Sequence, residues 1–160
     1  IRDKIRDLET TTNNEIIIYL PTYSINKIVD IIKKIPAQKE WTIFTNETNF
    51  NYKLDGVNIN SVSDNLFVRK LGSCYGIVCA AGFSTTSEAI FLGKPMLVIP
   101  VKAHIEQKFN AEALNNEGVA VLKEFSLKYL NEITKWIKSP KVLKINYKDQ
   151  SEEIVDKILK

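Results

Sequence analysis

Histidine occurs once in these 160 residues, at His104, and cysteine only twice, at Cys74 and Cys79. Four residues separate the cysteines, and no second Cys or His pair completes a zinc pattern, so no metal site is expected. Two cysteines without a disulfide framework point to reduced thiols in a cytoplasmic protein. Cys79 sits inside an apolar run and reads as a small core residue. No run reaches the roughly 18 apolar residues that span a bilayer, and a secretory leader is not expected. Charge of one sign is not concentrated anywhere. Lysines and acids are mixed, the net charge is +3, and the absence of a basic block argues against a nucleic acid partner. Mild basicity is compatible with an anionic small ligand. There is no internal repeat and no low-complexity tract. The first residue is Ile1 rather than Met, so the simplest expectation is a segment of a longer protein.

What is present is an alternation of two apolar periods in a chain long enough for one domain with a full core. Short β-branched runs lie at 15–21, 41–46, 57–62, 76–81, 95–100 and 119–122. Between most of them the spacing turns helical. Ile25, Ile28, Val29, Ile32 and Ile35 form one stripe, and 64–71, 84–92, 105–117 and 126–138 read as further helices. This alternation predicts an α/β domain of three layers, with a parallel sheet of about six strands covered on both faces. "GIVCAA" and "PMLVIP" are apolar without alternation, as strands buried on both faces should be. Gly93 and Gly118 stop helices, and Ser126 is a candidate N-cap for the helix after it. Residues 139–150 read as an irregular connection before a final helix at 151–159. Residues 1–12 are polar, give no clear core signal, and read as a helix or a linker from a preceding domain.

Ligands of open parallel sheets sit at the carboxyl ends of the strands. The loops at 21–24, 46–54, 60–64, 80–84 and 100–105 are therefore the ones that matter. After "GIVCAA", Gly82 would let the backbone turn and approach a ligand closely. Phe83, Ser84, Thr85 and Thr86 then form the first turn of a helix, with free N–H groups, the positive dipole end and three hydroxyls. That is a ready site for a phosphate or diphosphate. Taken alone, the pattern fits a capped strand–turn–helix junction equally well. Glu88, one turn in, leans back toward the same loop and could accept the hydroxyl protons of a ribose. In the next helix, Ile105, Phe109 and Ala113 share a stripe that reads as core. Glu106, Gln107 and Asn110 start that helix beside the ligand edge and suit a sugar with several hydroxyls. A solvated helix face is the alternative. His104 is a candidate general base with no partner identifiable in the sequence.

The joint spacing is more specific than any piece. Gly82-Phe83-Ser84-Thr85-Thr86-x-Glu88-Ala89, then Gly93-x-Pro95, Pro100, Glu106-Gln107-x-x-Asn110-Ala111 and Gly118 resembles the nucleotide-sugar-binding half of GT-B glycosyltransferases. The match is to the UDP-glucuronosyltransferase-like and MurG-like group, and it is strong over about residues 72–120. The resemblance implies the C-terminal, Rossmann-like half of a GT-B fold over 1–160. That half would bind a nucleotide diphosphate sugar, a UDP-sugar by resemblance, for inverting and metal-independent hexosyl transfer. Residues 82–86 would hold the diphosphate and Glu88 the ribose. Glu106 and Gln107 would contact the sugar, with Asn110 near the phosphates. The loop bearing Ser61 and Ser63 would meet the base, and Tyr23 and Ser24 could border the diphosphate from the other side.

Plant-type relatives carry a histidine two residues before the glycine, where this chain has Ala80. The catalytic base of inverting members normally comes from an N-terminal acceptor domain, in cis or on a partner subunit. The acceptor, a lipid or a small molecule, is not readable. The protein could thus lie peripheral to a membrane through another part of the molecule, and the isolated segment should be inactive. A nucleotide-sugar 2-epimerase and the donor-binding subunit of a split glycosyltransferase are the alternative functions.

Overall fold

A computed structural model describes residues 2–143 and 145. The final helix expected at 151–159 lies outside the described residues, as does half of the connection before it. The strands are β1 (Glu15–Tyr19), β2 (Glu40–Thr45), β3 (Tyr52–Leu54), β4 (Val57–Ser61), β5 (Gly76–Cys79), β6 (Met96–Val98) and β7 (Ala120–Val121). They form one sheet in the order β3-β4-β2-β1-β5-β6-β7. All neighbours pair in parallel except β3, which is antiparallel to β4. The α-helices are α1 (Asp3–Arg6), α2 (Ile25–Ile32), α3 (Asp64–Ser73), α4 (Phe83–Phe91), α5 (Ile105–Asn116) and α6 (Leu130–Lys138).

Alternation along the strands divides the core between two faces. Ile16 and Ile18 point to one, where Ile28, Val29 and Ile32 of α2 and Ile133, Trp136 and Ile137 of α6 cover them. Ile17, Ile77 and Cys79 point to the other, under Phe67, Val68 and Leu71 of α3, Ala89 and Ile90 of α4 and Ala111 of α5. A strand such as Glu15–Tyr19 is buried on both sides, so it carries an unbroken apolar run. The expected three layers and six parallel strands are present.

The seventh strand was not anticipated. Asp55 and Gly56 both take positive φ, at 51° and 84°. That is the geometry of a two-residue hairpin turn, and Asp-Gly is its usual sequence signal. Two further expectations need correction. Ser126 precedes a 3₁₀ turn, Leu127–Tyr129, and its side chain makes no capping bond; the hydroxyl bonds Glu124 instead. The stripe of Ile105, Phe109 and Ala113 is not core. Ile105 is 70% and Phe109 67% exposed, and Ala113 is exposed as well. The side of α5 that meets the core carries the buried Ala111 and the half-buried Leu114.

Cys74 and Cys79 are both free and buried. Burial pushes each thiol up to about 12. Neither should be thiolate at neutral pH, so neither should react with a maleimide in the native protein. Both should label once the chain is unfolded, and native labelling followed by mass spectrometry checks this.

Candidate functional site

Counting only the parallel strands in chain order, the sheet runs 3-2-1-4-5-6. The order reverses between β1 and β5. In this topology the connections from those two strands leave to opposite faces and open a crevice at their carboxyl ends. The chain reaches the crevice from β5 through Ala80, Ala81 and Gly82 and enters α4 directly. The helix has Gly82 as its N-cap residue and no side-chain capping bond. The N–H groups of its first turn therefore lack the partners that the helix interior supplies.

A cleft of about 260 Å³ lies there, lined by Ser84, Thr85 and Glu88 of α4 together with Arg2, Tyr19, Val62 and Phe67. Three of the expected site residues thus share one cavity. The hydroxyls of the first turns divide by geometry. Thr86 donates back within the helix, to the carbonyls of Gly82 and Phe83 at 2.8 and 3.2 Å, so its proton is already used. Ser84 and Thr85 face the cleft. Phe83 is 72% exposed, so only its backbone belongs to the first-turn N–H set.

Gly82 does not turn the way the sequence reading supposed. Its φ is −74° and ψ 141°, a conformation open to any residue. A Cβ built on it would meet nothing within 4 Å. The fold itself therefore does not require glycine at this position; what glycine provides is free space before the first-turn N–H groups.

Glu88 is only 3% exposed. Its carboxylate is held bidentately by Arg2, with Nε to Oε1 at 2.6 Å and Nη2 to Oε2 at 2.7 Å. Fork-to-fork pairing of this kind is the strong form of a charge-assisted hydrogen bond. Arg2 carried no signal in the sequence, because it lies 86 residues from Glu88 in a polar stretch. Tyr19 and Phe67 were legible only as strand end and helix core. They meet edge to face, ring centroids 5.6 Å apart, and wall the cleft beneath Val62.

The residues at the start of α5 lie next to the cleft loop but work partly on backbone. Asn110 Nδ2 donates to the Ala81 carbonyl at 3.1 Å and ties α5 to the β5–α4 turn. Gln107 Oε1 accepts from Val101 N–H at 3.0 Å and braces the β6–α5 loop. Glu106 is exposed in the first turn, and His104, the N-cap residue of α5, is exposed too. On the far side, Ser61 N–H donates to Asn51 Oδ1 at 3.0 Å. Ser63 precedes α3 without a capping bond. Ser24 likewise precedes α2. Tyr23 does not border the crevice with its hydroxyl. That group accepts from Phe125 N–H at 3.0 Å, and the ring packs on the α2 face of the core.

No group of three His, Cys, Asp or Glu able to hold a metal occurs among the described residues. No described helix is long and apolar enough to cross a membrane.

The comparisons with known proteins agree on one family and one fold. An enzyme of Alkaliphilus oremlandii (strain OhILAs) is 30% identical over 107 residues, covering 59% of this chain and 29% of that protein. Its name is UDP-N-acetylglucosamine--N-acetylmuramyl-(pentapeptide) pyrophosphoryl-undecaprenol N-acetylglucosamine transferase. The enzyme of the same name from Alkaliphilus metalliredigens (strain QYMF) is 39% identical over 54 residues, 32% of this chain and 15% of that one. The chain thus spans less than a third of either relative. Among solved structures, the glycotransferase of kitacinnamycin superposes with a TM-score of 0.58 at 17% identity, covering 79% of this chain and 34% of that one. The glycosyltransferase VinC, solved in complex with DTDP, superposes at 0.56 and 17% identity over 87% of this chain and 36% of that one. Identities this low speak for the fold. The family model described as "Glycosyl transferase family 1" matches residues 1–138. The chain belongs to glycosyl transferase family 1, as the C-terminal, Rossmann-like domain of a GT-B glycosyltransferase.

Proposed function

We propose that this domain binds the donor, a nucleoside diphosphate sugar and most specifically a UDP-sugar, for inverting, metal-independent hexosyl transfer. The observation that carries the reading is the placement of Glu88. A buried carboxylate faces a cleft at the switch point of the sheet, one turn from an uncapped helix N-terminus bearing Ser84 and Thr85. A diphosphate would lie against the N–H groups of residues 83–85, and the ribose diol would reach Glu88. The relatives named for UDP-N-acetylglucosamine favour a uridine donor. VinC, with its bound DTDP, makes a thymidine nucleotide the natural competitor in the test.

The chemistry asked of this domain is departure of the nucleoside diphosphate. Charge builds on the leaving phosphate as the glycosidic bond breaks. Fixed N–H dipoles stabilise that charge without reorganising. No metal is needed in this scheme. Glu106 and Gln107 would contact the sugar, and Ser61, Val62 and Ser63 would line the base. The acceptor and the general base would come from a facing domain or subunit. The exposed Phe83, Ile105 and Phe109 suit such a covered face. Acceptor, compartment and any membrane association are left to that partner.

Isothermal titration with UDP, dTDP and GDP tests the reading. UDP should bind, and Glu88→Ala should weaken it about tenfold or more, as loss of a charge-assisted contact implies. Equal binding by both proteins would remove Glu88 from the site.

A further inference from the structure

We propose that Arg2 is a latch on the donor site, competing with the ribose for Glu88; this rests on the reading of the cleft as a nucleoside diphosphate site. Both carboxylate oxygens of Glu88 are occupied by the Arg2 guanidinium. A ribose diol that claims the same lone pairs competes with the guanidinium, and binding of that kind requires the fork to open.

The latch is built into the fold rather than being a chance contact of a loose end. The segment from Arg2 to Asn13 is strapped along α3 and α4. Ile5 is fully buried in the core. Lys4 Nζ donates to Asn65 Oδ1 at 2.9 Å. Thr11 and Asn13 N–H groups donate to the carbonyls of Gly72 and Ser73 at 3.1 and 2.9 Å. The buried Lys94 ammonium donates to the carbonyls of Thr11 and Cys74. Gly72 leaves room for the strap, since a Cβ there would come within 2.4 Å of Leu8 Cδ2. The backbone of Arg2 is therefore delivered to the rim of the cleft. Its side chain is 38% exposed, so it can swing away by rotamer changes without undocking the strap.

A site whose competent state is only partly populated shows a weaker apparent affinity, in proportion to that population. Removing Arg2 should thus strengthen the part of binding that depends on the diol. The ratio of dissociation constants for 2′,3′-dideoxy-UDP over UDP isolates that part, because base and phosphate contacts cancel. Titration calorimetry on wild type, Arg2→Met and Arg2→Lys measures it, with thermal melts to confirm folding. In Arg2→Met the ratio should rise about tenfold over wild type. Arg2→Lys, which cannot form the fork, should fall between. The Arg2 Nε–H resonance should also lose its exchange protection when UDP is added to wild type. An unchanged ratio with UDP still binding overturns the latch and leaves the donor site standing. A lower ratio overturns it too, making Arg2 a helper of ribose binding. If UDP binds none of the three, donor reading and latch fail together.

Discussion

Gly82→Val should leave the domain as stable as the wild type to within about 1 kcal/mol while weakening UDP binding by about tenfold or more. The two halves of this result have separate causes. Gly82 has an extended conformation that valine prefers, and a Cβ there meets nothing within 4 Å. Loss of unfolded-chain entropy slightly favours the variant, and a poorer N-cap residue slightly disfavours it. In the liganded protein the same space is the approach to the N–H groups of α4. A branched side chain there would hold a phosphate off hydrogen-bonding distance, where the interaction falls steeply. Gly82→Ala should show a weaker form of the same separation. Differential scanning calorimetry and titration calorimetry on one preparation measure both quantities. A Gly82→Val protein that binds UDP like the wild type would move the diphosphate away from this helix.

Trp136→Ala is expected to do the opposite. The indole lies in the core face formed by α2 and α6, and its ring is about one contact distance from Gly76, whose added Cβ would come within 3.1 Å of it. Emptying such a position costs about 3–5 kcal/mol, a large part of the 5–15 kcal/mol that holds a typical domain together. The melting temperature should fall by about 10 °C. Trp136 flanks the start of β5, the end of the strand away from the cleft. UDP affinity per folded molecule should therefore be unchanged at low temperature. Trp136→Phe should cost far less than Trp136→Ala. It keeps most of the packing, and it removes an Nε1 donor that is buried without a hydrogen-bond partner. Urea melts of the three proteins would decide it, and a Trp136→Ala protein as stable as wild type would contradict the assigned packing.

How far the site could be read in the chain depended on how local its parts are. Gly82 to Glu88 lie within one strand–helix junction, so spacing alone brings Ser84, Thr85 and Glu88 to one end of α4. The Asp55-Gly56 turn is equally local, yet it was not read from the sequence, and the hairpin with β3 came only with the structure. The stripe of Ile105, Phe109 and Ala113 shows the limit. Periodicity reports that a helix has an apolar face; it carries no information about what covers that face. In the folded domain Ala111 and Leu114 pack on the core, and Ile105 and Phe109 face outward. Tyr23 shows the same limit for a polar atom. A hydroxyl near the ligand edge could serve a ligand or the fold, and its partner, Phe125 N–H, lies 102 residues away.

Elements and their kinds followed from the residues themselves. Unbroken apolar runs read as buried strands and 3.6-residue spacing between them as helices, an alternation that predicts a parallel α/β sheet. Whatever required two distant stretches to meet was settled by folding. The switch point exists because β1 and β5 are neighbours in the sheet. The pairing of Arg2 with Glu88 exists because a strap docked on α3 and α4 ends at the cleft. Such meetings are set by shape and burial across the whole chain, and neighbouring residues carry no trace of them. The carboxylate that the sequence presents as a free ribose ligand is, in the folded domain, already held.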